Sequence, residues 1–544
     1  MTTLHKELFD GETHQDALAI KLEKIKQGQR RQIVKVPRDL LPLPKKLKAH
    51  EVLVMIHSTQ ICDTDIELGT NPHHGAATKG YSMGKTPLIL NGHEAGGVIL
   101  AKGKKVTRNT IGDWVSLKVR EGMKSTGCIM CQTDMSHRCW DWQYEPADME
   151  EHGIFRAPGW FCQYAVLHEK QVVTIPKGLS PEYACMGEPL SIGTNALMTA
   201  IDRWWQDPGF LEATKDGPPA IALIGAGGIA SIDAPVFTTF PDNILKAMKS
   251  GELPDNYLDR PYADTRREMA GLKPKKPSKA EVFYYARTPY RKGLLKADAV
   301  KPLGVQYESF EDMGLPYIEV VHPATKTEKE WVQKVYNLTP LMQHPTRKRF
   351  DLVIEMCTSP LQIARMMLPP SAPGEVEEFL ARKLPKSKEK NRRCEGRYVM
   401  PPGTKKEMAD FMKAPLGGTG GLMAPGTKMT ITSITGGEEV YPNFPAAKFC
   451  WSTALNNADV AGVVNYDEFH ARVGMLSMAL ACSKKGQKNW PTRVQERVVT
   501  DIEEMLGEGM YNIKKSVSGR AAVVMNPMDK IQKALKVAKK LYKD

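Results

Sequence analysis

The pattern of hydrophobic and polar positions changes along this chain and predicts two kinds of structure. Between about residues 30 and 195, short apolar runs such as 51–58 (EVLVMIHS) and 96–101 (GGVILA) are separated by glycine-containing turns. Short runs rich in β-branched residues are typical of strands, so this region is predicted to be mainly β. Near the other end, residues 528–542 are predicted to form a lysine-rich amphipathic helix.

From about residue 196 to residue 460, short apolar runs alternate with helical stretches. The predicted strands are 220–224, 281–285, 351–355 and 428–433. This alternation is typical of a parallel sheet with crossover helices. Two long segments rich in Pro and Lys, 231–279 and 371–425, interrupt it and are interpreted as insertions, since loops of that length are uncommon in compact domains.

These patterns predict an α/β protein of two domains. Residues 1–195 would form the β-rich domain, residues 196–464 the parallel α/β domain, and residues 465–544 a tail of mixed character. A chain of 544 residues with 42% hydrophobic and 25% charged residues has the ordinary composition of globular proteins. It is long enough to bury two sizeable cores.

The chain carries a formal net charge of +13, which raises the question of a nucleic-acid or membrane partner. Many basic residues lie in Pro-rich stretches such as 273–279 and 383–393. Such runs are usually solvated loops, so neither partner is predicted. An anionic small-molecule substrate is an alternative explanation of the charge.

The cellular location predicted from the sequence is cytoplasmic. No stretch approaches the ~18 apolar residues of a membrane span, and the first residues (MTTLHKELFDGETHQD) lack the apolar core of a secretion signal. Ten cysteines in so long a chain do not indicate a disulfide scaffold. Several of them lie near other metal-binding residue types, which fits a reducing compartment.

Three short motifs offer ligands for a metal ion. Cys62 follows a predicted strand, His93 and Glu94 precede another, and Glu188 opens a probable helix. Thiolate, imidazole and carboxylate together suit Zn²⁺ in a catalytic site that keeps one position for water or substrate. Thr64 lies two residues after the thiolate, where its hydroxyl could relay a proton. Asp65 is a candidate to hold the ring of His93.

A second group of thiols, Cys128, Cys131 and Cys139, lies in a loop-like stretch. A closed structural zinc site normally takes four ligands. The fourth ligand is open among Ser125, Asp134 and His137, and a loop of free thiols is the alternative.

A nucleotide-binding pattern follows the apolar run 220–224. The turn Gly225-Ala226-Gly227-Gly228-Ile229-Ala230 has the form G-x-G-x-x-A, with Gly225, Gly227, Gly228 and Ala230 at the characteristic positions. The first glycine allows the tight bend, the second lets the backbone approach a pyrophosphate, and the small last residue lets the helix pack on the strand.

The choice of dinucleotide depends on the strand 281–285. NAD-binding proteins usually place an acidic residue after this strand, whereas an arginine accommodates the 2′-phosphate of NADP. Arg287 and Arg291 lie there, so NADP is favoured over NAD.

With these motifs in order, the chain resembles the zinc-containing medium-chain dehydrogenase/reductase family, and most of all its glucose, sorbitol and threonine dehydrogenase branch. The resemblance is carried by Cys62 to Asp65, Gly92-His93-Glu94, Gly112-Asp113-Trp114-Val115, the Cys128/Cys131/Cys139 loop, residues 159–166 (GWFCQYAV), Glu188-Pro189-Leu190-Ser191, the glycine turn, residues 351–355 (DLVIE) and Gly462-Val463-Val464-Asn465.

The resemblance implies a GroES-like catalytic domain to which the C-terminal tail returns, and a Rossmann domain. It implies hydride transfer between NAD(P) and the carbinol carbon of an alcohol, polyol or sugar-like substrate, in a dimer or tetramer. It places catalytic zinc at Cys62, His93 and Glu94, with Glu188 as a ligand or a water-mediated partner and Thr64 in the proton relay. The structural zinc would fall at Cys128, Cys131 and Cys139, with Ser125 where the family has its first cysteine.

The chain also departs from this family. Asp63 replaces the glycine that usually follows the ligand cysteine, and extra segments lie near 67–86, 140–157, 231–279, 371–425 and 482–520. Two other functions are therefore weighed. A zinc-free enoyl or quinone reductase predicts loss of the ligands, which are present. A non-catalytic scaffold would fit Pro235, which would cut short the helix after the glycine turn.

Overall fold

The computed structural model describes residues 1–25, 28–67, 88–120, 151–154, 156–205, 220–224, 229, 232–233, 281–285, 317–320, 350–356, 423–431, 459–462, 468–483, 494–517 and 519–542. The chain divides into two compact units. The first contains Met1–Ile192 and Asn465–Asp544, and the second contains Gly193–Val464. The first unit is therefore assembled from both ends of the chain.

The strands and helices are numbered in chain order. The strands are β1 Thr2–Thr3, β2 Leu18–Ile25, β3 Gly28–Lys35, β4 Lys46–Leu47, β5 Glu51–Gln60, β6 Leu88–Ile89, β7 Glu94–Lys102, β8 Trp114–Leu117, β9 Glu151–His152, β10 Arg156–Ala157, β11 Tyr164–His168, β12 Val172–Thr174, β13 Ala220–Ile224, β14 Glu281–Tyr285, β15 Tyr317–Val320, β16 Phe350–Glu355, β17 Met423–Ile431, β18 Asp459–Gly462, β19 Gln495–Val499 and β20 Arg520–Val524. The α-helices are α1 Asp63–Glu67, α2 Gly187–Trp205, α3 Glu468–Ser483, α4 Gly509–Ser516 and α5 Met528–Leu541. Short 3₁₀ helices are Lys6–Phe9, Arg38–Leu40, Glu169–Gln171, Pro181–Met186 and Ile502–Met505.

The first unit is built around a sheet in the order β12-β8-β7-β5-β20-β19, with β11 paired to β5. Its long strand β5 is antiparallel to β7, β11 and β20. Both β19 and β20 come from the C-terminal tail, and they run parallel to each other. The tail therefore completes the sheet of the first unit. Smaller sheets, β3-β2-β6, β1-β4 and β10-β9, lie in the same unit.

The first half of β5, from Val52 to Ile56, is a continuous apolar run because both of its faces are buried. Val52, Val54 and Ile56 belong to one hydrophobic core, whereas Leu53 and Met55 belong to another. Successive side chains of a strand point to opposite faces of the sheet, so these two cores lie on the two sides of β5. A strand buried on both sides loses the alternation of apolar and polar residues that marks a half-exposed strand.

The lysine-rich helix predicted at the end of the chain is α5. Its residues Ile531, Ala534 and Ala538 are buried at the spacing of one helical face. They pack in the core that contains Leu53. Two lysines lie in the last helical turn, where positive charge is favourable at a helix C-terminus.

A buried carboxylate holds the loop between β7 and β8. Glu169 Oε2 accepts hydrogen bonds from the backbone N–H groups of Thr107 (3.0 Å) and Arg108 (3.2 Å), and Glu169 Oε1 lies 2.7 Å from Nδ1 of His50. Burial acts to raise the pKa of Glu169, but these hydrogen bonds outweigh it and lower that pKa below its ordinary value. The carboxylate is therefore favoured in its ionised form.

We expect Glu169→Gln to lower the free energy of unfolding by about 1–3 kcal/mol at neutral pH, since an acceptor of charge-assisted hydrogen bonds is lost. A carboxyl group whose pKa is lower in the folded state stabilises above its unfolded pKa, and that contribution is lost as the pH falls through the folded value. Urea unfolding should therefore show a gap between variant and parent that closes in acid. The exposed Glu182→Gln is the matched control, and an equal effect there would contradict the assignment.

The second unit contains a six-stranded parallel sheet in the order β15-β14-β13-β16-β17-β18. This is the doubly wound order in which the first strand lies centrally and the topology reverses beside it. Strands occur at all four predicted places, and two more, β15 and β18, complete the sheet. The predicted α/β class with a Rossmann sheet is confirmed. None of the helices that the structure describes is long and apolar enough to cross a membrane.

Candidate metal centre and active site

The candidate metal-binding residues of the first unit lie close together because β5 and β7 are adjacent antiparallel strands. Cys62 lies just after the end of β5, and His93 and Glu94 lie at the start of β7. Gln60 of β5 pairs directly with Glu94 of β7. Residues that follow one strand and precede its antiparallel neighbour lie at the same end of the sheet, so this pairing brings the two motifs together.

Cys62, His93 and Glu94 form what we name the ligand cluster. One possible ligand atom from each of these residues lies within 4.8 Å of those of the other two. His93 and Glu94 are buried, with exposed fractions of 3% and 1%, and Cys62 is partly buried. Sulfur, imidazole nitrogen and carboxylate oxygen at this spacing fit the donor set of a zinc ion with one position left open.

Asp65 connects the two loops that carry the ligand cluster. Its Oδ2 accepts a hydrogen bond from the Cys62 N–H (2.9 Å), and its Oδ1 accepts from the Gly92 N–H (2.9 Å) and from Asn91 Nδ2 (3.3 Å). Oδ1 also lies 3.6 Å from Nδ1 of His93. Since Nδ1 faces this carboxylate, Nε2 is the ring nitrogen that faces Glu94, at 3.9 Å from its Oε1. The geometry thus turns Nε2 towards the ligand cluster, as a metal ligand at this nitrogen would require.

Glu94 has a partner that the sequence did not reveal. Arg520, the first residue of β20, donates from Nη1 to both carboxylate oxygens of Glu94, at 2.7 and 2.8 Å. Both side chains are almost completely buried, with exposed fractions of 2% and 1%. Burial works against the charge of Arg520, but the Glu94 carboxylate outweighs it and raises the pKa of the guanidinium. No local signal pointed to Arg520, because 426 positions separate it from Glu94.

Glu188 lies at the beginning of α2 and is buried, but it is not part of the ligand cluster. Burial, and then the charge of Glu94, raise the pKa of Glu188 to about 8. The side chain is therefore within electrostatic reach of the cluster. Of the two roles predicted for Glu188, this arrangement favours the outer one, as a partner that acts through water.

The acid–base state of the cluster depends on what it binds. Burial and the Glu94 carboxylate raise the pKa of the Cys62 thiol. Burial acts to lower the pKa of His93, but the charges of Asp65 and Cys62 outweigh it and raise that pKa well above its ordinary value. Both groups must lose a proton to bind a metal ion.

Thr64 is the second residue of α1, directly beyond the ligand cysteine. Its Oγ1 lies 3.7 Å from Sγ of Cys62. The hydroxyl is therefore next to the ligand cluster, which is the place that a proton relay from a bound substrate requires.

Several predicted site residues lie outside the described part of the chain. These are Cys128, Cys131 and Cys139, their candidate fourth ligands Ser125, Asp134 and His137, and the cofactor residues Gly225, Gly227, Gly228, Ala230, Arg287 and Arg291. The strands that precede the cofactor residues, β13 and β14, are described and are adjacent in the sheet.

Part of the first unit is similar in sequence to known dehydrogenases. Residues 48–177 match the alcohol dehydrogenase GroES-like domain. Sorbitol dehydrogenase of Bacillus subtilis is 33% identical over 161 residues, which are 29% of this chain and 40% of that protein. D-xylulose reductase A of Aspergillus oryzae is 29% identical over 171 residues, which are 31% of this chain and 43% of that protein. Residues 48–177 are therefore similar to the GroES-like domain of alcohol dehydrogenases. The matched segments span less than half of either relative.

The fold of the chain is also similar to that of a solved glucose dehydrogenase. A crystal structure of glucose dehydrogenase from Haloferax mediterranei, in complex with NADP, Zn and gluconolactone, aligns with a TM-score of 0.52 and 16% identity. The alignment covers 94% of this chain and all of the other. The predicted combination of a GroES-like domain with a Rossmann domain is therefore confirmed.

Proposed function

We propose that this chain is a zinc-dependent oxidoreductase of the medium-chain dehydrogenase/reductase family. It would transfer a hydride between NAD(P) and the carbinol carbon of an alcohol, polyol or sugar-like substrate. The observation that carries the proposal is the convergence of a thiol, an imidazole and a carboxylate, with ligand atoms within 4.8 Å of one another. The names of the relatives, a sorbitol dehydrogenase and a xylulose reductase, support the substrate class.

In this mechanism Cys62, His93 and Glu94 would hold the zinc ion. When bound, zinc supplies a Lewis acid that favours the deprotonated form of an alcohol oxygen. Asp65 accepts hydrogen bonds from both ligand loops and faces Nδ1 of His93, which leaves Nε2 available as a ligand. Thr64 would accept the hydroxyl proton of the substrate and pass it onward.

Two glutamates would have different roles. Both carboxylate oxygens of Glu94 accept hydrogen bonds from Arg520. The negative charge of Glu94 is therefore partly compensated before any metal ion binds. Glu188 has a pKa raised to about 8, so it can take up or release a proton near neutral pH. It would order a water molecule or a substrate hydroxyl group beside the ligand cluster.

The cofactor proposal rests on the second unit. Its strand order is that of dinucleotide-binding folds, in which the ligand binds at the carboxyl ends of the strands beside the reversal of topology. The glycine turn directly follows β13 in the sequence. NADP is proposed over NAD because Arg287 and Arg291 follow β14 in the sequence. The similar glucose dehydrogenase was also solved in complex with NADP. A second, structural zinc at Cys128, Cys131 and Cys139, a cytoplasmic location and a homo-oligomer stay predictions.

Turnover measurements test the function directly. The purified chain would be assayed for NADP⁺ and NAD⁺ reduction with sorbitol, xylitol, glucose, threonine and phosphorylated sugars. We expect activity with at least one polyol or sugar, complete loss after dialysis against a chelator, and recovery with Zn²⁺. Activity that survives the chelator would favour a zinc-free reductase, and no turnover despite stoichiometric zinc would favour the scaffold alternative. Selective turnover of phosphorylated sugars would assign the positive charge to substrate binding.

A further inference from the structure

Helix α4 contacts both loops that carry the ligand cluster. Near its start, the Sδ atom of Met510 lies 3.7 Å from Nδ2 of Asn91, two residues before His93. One helical turn later, Nζ of Lys514 lies 3.9 Å from Oδ2 of Asp63, next to Cys62. Residues four apart lie on the same face of a helix. One face of α4 therefore spans the Cys62 loop and the His93 loop.

Lys514 is an unusual residue for this face because its charge is buried. Its side chain is 7% exposed, whereas that of Asp63 is 53% exposed, and the next residue, Lys515, is exposed to solvent. Burial of an ammonium group is costly unless an opposite charge compensates for it. The first residue of α1, Asp63, supplies such a carboxylate. The Asp63 contact is not the only interaction that Lys514 makes.

Asp63 occupies the position at which the resemblance to the family expects glycine. A glycine there would have no side chain to reach α4. With Asp63 at this position, the residue next to Cys62 instead makes a charged contact with Lys514 of α4. Asp65 already joins the Cys62 loop to the His93 loop from within. The contact between Asp63 and Lys514 acts on the same loop from α4.

We propose that Lys514 and Asp63 are a positioning pair through which α4 holds the Cys62 loop in register with the His93 loop. The pair thereby sets the metal affinity of the ligand cluster. This inference rests on the proposed function in one respect, that the cluster binds zinc. Residues outside the ligand set that orient metal ligands typically change metal affinity by about 10–100-fold when they are replaced.

The test compares Lys514→Met with Lys515→Met, which removes the same charge from the neighbouring exposed position. Zinc affinity would be measured by competition with a chromophoric chelator, and the geometry of the site by the visible spectrum of the Co²⁺-loaded protein. We expect Lys514→Met to bind Zn²⁺ about 10–100-fold more weakly with an altered Co²⁺ spectrum. Lys515→Met should match the parent in both measurements. Lys514→Arg, which keeps the charge, should recover most of the affinity.

A double-mutant cycle separates the pair from general damage to α4. Asp63→Asn alone should weaken zinc binding, and Asp63→Asn combined with Lys514→Met should weaken it by less than the product of the two single effects. Fully multiplicative effects, or parental affinity in Lys514→Met, would overturn the inference. If Lys514→Met does not fold, Asp63→Asn and Lys514→Arg carry the test, and an unchanged affinity in Asp63→Asn overturns it.

The outcome is distinguishable from failure of the proposed function. If the parent protein binds neither Zn²⁺ nor Co²⁺ stoichiometrically, the zinc mechanism itself is wrong, and the positioning role falls with it. If the parent binds the metal and turns over a polyol, but Lys514→Met binds it equally well, only the positioning role is wrong.

Discussion

Cys62→Ser is expected to abolish tight zinc binding and to lower kcat/KM by about a thousandfold or more. The thiolate is the ligand-cluster donor that zinc favours most among those present, and a serine hydroxyl does not ionise near neutral pH. The remaining imidazole and carboxylate offer two donors, of which Glu94 is also bound to Arg520. Zinc content and steady-state kinetics with the best polyol substrate measure both effects.

The matched control for this substitution is Cys482→Ser. Cys482 is another partly buried free cysteine of the first unit, on α3, and it is not in the ligand cluster. The Cys482→Ser variant should keep both the zinc bound at the ligand cluster and the turnover of the parent protein. Full activity in Cys62→Ser would eliminate the zinc mechanism and leave the fold without its proposed chemistry.

Arg520→Met is expected to destabilise the first unit by about 3–5 kcal/mol in the absence of metal. Removing one partner of a buried ion pair leaves the other charge without compensation, and the cost is of this size. The Glu94 carboxylate would stay buried, at 1% exposed, without the guanidinium that hydrogen-bonds to both of its oxygens. Thermal or denaturant unfolding of the chelator-treated protein measures the loss.

Zinc should reverse part of this loss, because a divalent ion at the ligand cluster would restore positive charge beside Glu94. The stabilisation on adding Zn²⁺ is therefore expected to be larger in Arg520→Met than in the parent. Arg497→Met is the control, since Arg497 lies on the neighbouring strand β19 in a largely exposed pair with Glu504, where pairs contribute about 0–1 kcal/mol. Equal losses in the two variants would show that the buried pair has no special role.

The candidate site shows which relations a sequence can reveal. The two halves of the ligand cluster are each local, a cysteine after an apolar run and a His-Glu pair before another, so both could be recognised in isolation. Asp65 could be proposed as a partner of His93 because it lies within the same short motif as Cys62. Glu188 could be named as a candidate, but its place outside the cluster depends on where the start of α2 lies relative to β7.

The fold divides in a similar way. Strands β5, β13, β14 and β16 were predictable because each contains a run of consecutive apolar residues in the sequence. Strands β15 and β18 were missed, since each has four residues and includes a polar or charged position, as in Glu319 and Asp459. Such short segments become strands because a neighbouring strand offers an edge to pair with, and the sequence alone does not show that edge.

By itself, the sequence determined the residue types of the candidate metal site, the division into a β-rich and a parallel α/β region, and the resemblance to a dehydrogenase family. Each of these follows from local chemistry or from the local period of apolar residues. Only the tertiary structure decided that Arg520 binds Glu94 and that Lys514 reaches Asp63. Both cations come from the C-terminal tail, more than 400 residues away in the chain. Long-range charge pairing leaves no periodic signal, because it depends on the sheet order that places β20 next to β5.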